Sequence, residues 1–145
     1  MKNYSNQITV DIVLPNYNSA PYLSETIDSV INQTFKDWKL IIVDGDSNIE
    51  THKILKKYSN HPNINIIWLK KNKKAGFCRN LAMRYSKSDY IAFIDSDDIW
   101  YKNKLSICQD LISSHPSNNI FIHDEKYVRN NKNASRIING TFKQP

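Results

Sequence analysis

The chain has 145 residues and a mass of 16.9 kDa, room for one compact domain and little more. Hydrophobic residues make up 40% and charged residues 23%, which excludes a disordered chain, and only 3 Gly and 5 Pro exclude collagen-like and flexible low-complexity classes. Twenty basic against fourteen acidic residues leave a formal charge of +6, a bias toward phosphates, nucleic acid or acidic lipid headgroups as partners.

Val10 to Leu14 is a β-branched apolar run, read as a buried strand stopped by Pro15. Ser19 is placed to cap the next helix, whose apolar face is Tyr22, Leu23, Thr26, Ile27, Val30 and Ile31. Leu40 to Val43 is a second buried strand, ended by Asp44-Gly45-Asp46-Ser47. Ile54, Leu55 and Tyr58 mark a second helix that closes at Asn60-His61-Pro62. Ile64 to Leu69 is a third strand, followed by the basic loop Lys70 to Lys74. Phe77, Cys78, Leu81, Ala82 and Tyr85 make the apolar face of a third helix. Tyr90 to Ile94 is a fourth strand, expected to be wholly buried, and it runs into Asp95-Ser96-Asp97-Asp98. Leu105, Cys108, Leu111 and Ile112 define a fourth helix, and Ile120-Phe121-Ile122 opens a fifth strand. From Asn130 onward the chain turns polar and reads as a loop or tail.

Strand and helix alternate with a repeat of roughly thirty residues, the size of a βαβ unit. The pattern predicts an α/β fold with a mostly parallel sheet and helices on both faces. No stretch approaches the ~18 apolar residues that span a bilayer. The N-terminal residues lack an apolar signal-peptide core, and neither Cys78 nor Cys108 has a CxxC partner, so a cytoplasmic chain with reduced cysteines is expected.

In parallel α/β sheets, ligands bind beyond the carboxyl ends of the strands. After the first strand stand Pro15, Asn16 and Tyr17, whose ring offers a stacking face; a plain turn explains the same stretch. After the second, Asp44 and Asp46 suit either hydrogen bonds from a base or ribose edge or ordinary helix capping. After the fourth, Asp95, Asp97 and Asp98 put three carboxylates within four residues. Capping by Ser96 or Asp98 needs one side chain; three acids exceed that need and favour a divalent metal shared with a diphosphate. Lys70 to Lys74 is a solvated face or part of an anion site; Gly76 permits close backbone approach, and Arg79 suits a bidentate phosphate contact. Trp68 and Phe77, the aromatics beside the basic loop, are read as core residues. The four histidines, His52, His61, His115 and His123, show no ligand spacing and are read as surface or turn residues.

Val10-Asp11-Ile12-Val13-Leu14-Pro15-Asn16-Tyr17-Asn18, Tyr22-Leu23, Ser29-Val30-Ile31-Asn32-Gln33-Thr34, Leu40 to Asp44, Arg79-Asn80-Leu81-Ala82 and Phe93 to Trp100 stand in an order that resembles family-two glycosyltransferases of the GT-A fold. The resemblance covers roughly residues 8 to 128. It implies a Rossmann-like GT-A domain over residues 1–128 that binds a nucleotide-diphosphate sugar, a UDP-sugar first among them. Residues 129–145 would form a polar stretch leading toward an acceptor-binding region that this chain does not contain.

Under the resemblance Pro15, Asn16, Tyr17, Asp44, Asp46, Lys74, Arg79, Asp95, Ser96 and Asp97 surround the nucleotide sugar. Asp95, Asp97 and Asp98 would hold Mn²⁺ or Mg²⁺. The implied reaction is inverting sugar transfer to a glycan or lipid-linked acceptor in bacterial surface polysaccharide synthesis. It would take place in the cytoplasm or peripherally at the inner membrane face, with no nucleic acid involved. No catalytic base is assigned, because in relatives it lies beyond the matching region. The shortened sheet predicts self-association or exposed apolar surface beside the fourth and fifth strands. One departure stands out: the family usually reads Asp-Asp-Gly-Ser where this chain reads Asp44-Gly45-Asp46-Ser47. Two other classes fit single features, an Asp-nucleophile phosphotransferase and a non-catalytic nucleotide- or nucleic-acid-binding module.

Overall fold

A computed structural model describes residues 8–124, 126–129 and 132–137. The elements are β1 (Val10–Asn16), α1 (Leu23–Ile31), β2 (Trp38–Asp44), α2 (Ile49–Tyr58), β3 (Ile64–Trp68), α3 (Ala75–Tyr85), β4 (Tyr90–Phe93), α4 (Lys104–Ser114), β5 (Lys126–Arg129) and β6 (Lys132–Ile137). The first four strands form one parallel sheet in the order β3-β2-β1-β4. Two compact units are present, residues 1–109 and 110–145.

Strand alternation divides the core of the first unit in two. Val10, Ile12 and Leu14 of β1, with Trp38, Leu40 and Ile42 of β2, pack with Leu23, Ile27 and Val30 of α1 and Leu55 of α2. Val13, Ile41 and Val43 point the other way, onto Cys78 and Ala82 of α3. Helices therefore cover both faces, as the sequence pattern predicts. β1 and β2 are buried along nearly their whole length, and this explains their unbroken apolar runs.

Several local expectations are corrected. Pro15 does not stop β1, which pairs with β2 through Asn16 opposite Asp44. β4 pairs only as far as Phe93 opposite Val13, so beyond that point β1 has one neighbour and tolerates a residue without an N–H. Ser19 does not cap α1 with its side chain; its hydroxyl bonds Asn16 instead, and α1 starts after a turn in which Ser19 O accepts from Tyr22 and Leu23. Tyr22, Phe77 and Tyr85, counted as apolar-face residues, are exposed.

β4 is an edge strand, not a wholly buried one, and Phe93 at its end is 49% exposed. The predicted fifth strand at Ile120–Ile122 is irregular backbone, with Ile120 and Ile122 exposed. In the second unit the strands lie later: β5 and β6 pair antiparallel, Lys126 opposite Ile137 and Arg129 opposite Lys132. Part of the stretch read as a polar tail is thus strand.

At the amino end of the sheet, Asp11 is buried on β1, and its Oδ2 accepts from the N–H groups of Lys87 (2.8 Å) and Ser88 (3.2 Å). Burial pushes its carboxyl up. The bonds from Lys87 and from Ser86 and Ser88 outweigh that push, so its pKa is lowered overall. The resulting stabilisation is present above the ordinary aspartate value of about 3.9 and is lost as pH falls through the lower folded value. Asp11→Asn should therefore flatten the acid limb of stability against pH and cost about 1–3 kcal/mol at neutral pH, read from urea midpoints.

Burial raises the pKa of both thiols, with the Asp44 charge adding to the rise at Cys78. Cys78 is almost fully buried while Cys108 is partly exposed. Iodoacetamide should label Cys108 first and reach Cys78 only at the rate of unfolding, as peptide mass spectrometry would show.

Candidate functional site

The carboxyl ends of β1 and β2 meet in one buried polar network. Asp44, the last residue of β2, is fully buried. Its Oδ1 accepts from Asn16 Nδ2 and from Ser47 Oγ, each at 2.6 Å. Its Oδ2 accepts from the Ser47 N–H at 3.1 Å and lies 3.0 Å from His52 Nε2. A carboxylate has no proton to give here, so Nε2 carries it. Asn16 in turn accepts from the Ser19 hydroxyl and donates to Ser47 Oγ at 3.3 Å.

The turn after β2 follows from two backbone demands. Asp46 sits at φ 68°, the left-handed region that a short polar side chain tolerates. Gly45 is needed for closeness: a Cβ there would lie 3.3 Å from both Asn16 O and Lys73 O. The main chain of the basic loop is thereby seated against the end of β2. Asn18, at φ 51°, completes the turn after β1, its side chain accepting from the Asn48 N–H at 2.7 Å. Neither Asp44 nor Asp46 caps α2. Asn48 does so, accepting from Thr51 N at 3.0 Å.

His52, read from sequence as a surface or turn residue, belongs to this network. It lies on the first turn and a half of α2, and its ring meets Trp68 edge-on at 4.9 Å between centroids. Trp68 and Phe77 are 42% and 49% exposed, so neither has the core role expected of it. Lys73 Nζ stands 5.4 Å from the Phe77 ring centre. Tyr17 projects beyond the network and is exposed.

A second, charged grouping lies at the end of β4. Arg79, one turn into α3, donates from Nη2 to Asp95 Oδ1. Asp95 O accepts from the Asp98 N–H at 3.1 Å, closing a turn that leaves Asp97 and Asp98 exposed. The three carboxylates do not converge: among the described residues no three His, Cys, Asp or Glu side chains are grouped to hold a metal. Neither Ser96 nor Asp98 begins α4, which starts at Lys104. Lys74 is the exposed residue preceding α3, which no side chain caps. A Cβ at Gly76 would meet nothing within 4 Å, so crowding does not dictate glycine there.

Pro15, Asn16 and Asp44 are thus buried together, Arg79 and Asp95 are paired, and Tyr17, Asp46, Lys74 and Asp97 stand exposed around them. Cys78 feels both groupings, since the charges of Asp44 and Arg79 act on its thiol in opposite directions.

The profile described as Glycosyl transferase family 2 matches residues 11–143. The chain is 36% identical over 136 residues to the UDP-Glc:alpha-D-GlcNAc-diphosphoundecaprenol beta-1,3-glucosyltransferase WfgD of Escherichia coli, covering 94% of this chain and 51% of WfgD. It is 37% identical over 131 residues to the poly(ribitol-phosphate) beta-N-acetylglucosaminyltransferase TarP of Staphylococcus aureus, covering 87% of this chain and 38% of TarP. The crystal structure of residues 1–349 of S. aureus TarS with UDP superposes with a TM-score of 0.70 at 29% identity, over 75% of this chain and 33% of that one. The chain spans about half the length, or less, of these relatives. With its parallel sheet, its strand-end polar groups and a profile match over most of its length, the chain belongs to glycosyl transferase family 2.

Proposed function

We propose that this chain supplies the donor-binding part of a glycosyltransferase that moves a sugar from a UDP-sugar to a glycan or lipid-linked acceptor, in the assembly of a bacterial surface polysaccharide. The observation that carries the reading is the Arg79–Asp95 pair, which sets a cation and exposed acids together at the carboxyl end of β4. A diphosphate with its counter-ion needs both signs of charge at one place. TarS in complex with UDP, and the UDP-glucose in the name of WfgD, support a uridine donor.

The donor region is assigned to residues 1–128, with residues 129–145 leading toward the acceptor-binding part of the longer relatives. Tyr17 offers the base a ring face, with Pro15 and Asn16 beneath it. Asp44 has both carboxylate oxygens taken by protein donors, so it shapes the floor of the base site, and Asp46 is the acid free to meet the base or ribose. Lys74 and Arg79 face the diphosphate, the latter at the expense of part of its bond to Asp95. Ser96 lines the ribose side.

A divalent ion fits the donor set present. Mg²⁺-type ions are commonly held by one or two carboxylates plus substrate phosphate oxygens, and do not require a cage built from protein alone. Asp97, with Asp95 and Asp98 beside it, would hold Mn²⁺ or Mg²⁺ in that manner. When bound, the ion supplies Lewis-acid stabilisation of the nucleoside diphosphate that departs. Transfer is assigned as inverting, and no residue of this chain is assigned as the base. The surplus of positive charge supports work at the cytoplasmic face of an acidic membrane.

Calorimetric titration with UDP, GDP, CDP and dTDP, with and without Mn²⁺, tests the reading. We expect UDP to bind best and Mn²⁺ to strengthen it. Asp97→Asn should weaken the Mn²⁺-dependent part by about tenfold or more, roughly 1.4 kcal/mol. Absence of nucleotide binding under both conditions would falsify the proposal, and undiminished Mn²⁺-dependent binding by Asp97→Asn would remove Asp97 from its role.

A further inference from the structure

One face of α1 carries polar groups where a helix lying on a sheet would ordinarily bury only apolar ones. Thr26 is fully buried and Ser29 lies one turn further along α1; Gln33, also fully buried, stands two residues after the helix ends at Ile31. None of the three spends its side chain on the sheet. Thr26 Oγ1 donates to Ser96 O at 3.1 Å. Ser29 Oγ accepts from the Trp100 N–H at 3.1 Å. Gln33 Nε2 donates to Tyr101 O at 2.8 Å, and its Oε1 accepts from the Leu105 N–H at 3.0 Å. Just past the helix, the Thr34 N–H donates to Lys102 O at 2.8 Å.

Every one of these bonds ends on the main chain of residues 96–105. The segment between the first two anchor points, Ser96 and Trp100, is Asp97-Asp98-Ile99, all exposed. An exposed loop of acids would ordinarily splay apart under its own charge. Here it is pinned at both ends by neutral donors and acceptors from a helix, Thr26 at Ser96 and Ser29 at Trp100.

From this we infer that Gln33, aided by Ser29, is a positioning residue: by bonding the backbone at Tyr101 and Leu105 it holds the loop in the form that presents Asp97 to a cation–diphosphate group. The assignment rests on the function proposed above. It assigns to Gln33 no contact with the ligand.

Gln33→Met keeps the length of the side chain but removes the amide, and Ser29→Ala removes the acceptor for Trp100 together with a bond inside α1 to Thr26 O, a milder change should the first variant fold poorly. Both are compared with the unaltered chain by Mn²⁺-dependent and Mn²⁺-free UDP titration, and by amide hydrogen exchange at Trp100 and Leu105. We expect Gln33→Met to weaken Mn²⁺-dependent binding about tenfold and Ser29→Ala about threefold, with Mn²⁺-free binding unchanged. Exchange should rise at Leu105 in the first variant and at Trp100 in the second. Faster exchange with undiminished Mn²⁺-dependent binding overturns the inference, as does an equal loss of Mn²⁺-dependent and Mn²⁺-free binding. If the unaltered chain itself shows no Mn²⁺-dependent UDP binding, the proposed function fails first; if it binds and the variants bind equally well, only the role of Gln33 fails.

Discussion

A carboxylate withdrawn from water must have its lone pairs filled by protein donors, or it will not stay charged and in place. Asp44 meets that condition with four partners drawn from three parts of the chain: Asn16 on β1, the hydroxyl and N–H of Ser47 in the following turn, and His52 on α2. The same set of bonds ties the end of β1 to the turn after β2 and to the first turn of α2. What remains outside is defined by exclusion. Tyr17 and Asp46 are exposed because the residues around them have turned inward to satisfy Asp44.

The opposite side of the sheet's carboxyl edge is organised by a different balance. β4 is short and lies at an edge, so its end is held less by the sheet than by what reaches it from elsewhere. Arg79 arrives from α3 and pairs with Asp95 in partial contact with solvent, where such a pair adds little stability. Under the proposed function, its worth lies in placing a guanidinium against a carboxylate where an anionic ligand would compete for it. Anchors from α1, and from Gln33 just after it, hold the loop that follows. The carboxyl ends of β1 and β2 thus carry a closed network of hydrogen bonds and the end of the neighbouring β4 an open and charged one.

Much of this was legible in the chain itself. The apolar runs of β1 and β2 are buried on both faces, so they stood out without any alternation to interpret, and the acids that end β2 and β4 fell at the strand ends. The misreadings share a cause. Periodicity marks Phe77 and Tyr85 as core residues, but the packing around α3 buries Cys78 and Ala82, with Leu81 partly buried against them, and leaves Phe77 and Tyr85 exposed. Ile120–Ile122 has strand composition and is irregular, while the polar residues of β6 pair in a hairpin, because pairing partners and not propensity decide short strands. His52 carried no spacing signal at all, since its partner lies across a turn and a helix start.

Length, the βαβ alternation, the burial of the central strands and the family were determined by the order of residues alone, because each depends on neighbours within a turn or two of chain. The exchange of glycine and acid in Asp44-Gly45-Asp46-Ser47 was visible there as well, but not its meaning. Only the folded chain shows that position 45 is crowded by Asn16 and Lys73 while position 46 is left-handed. The division of labour among the acids was likewise decided in three dimensions, Asp44 sealed by donors, Asp95 claimed by Arg79 and Asp97 left open. A carboxylate's role depends on which donors reach it, and Asn16 and Arg79 reach Asp44 and Asp95 from 28 and 16 residues away in the chain.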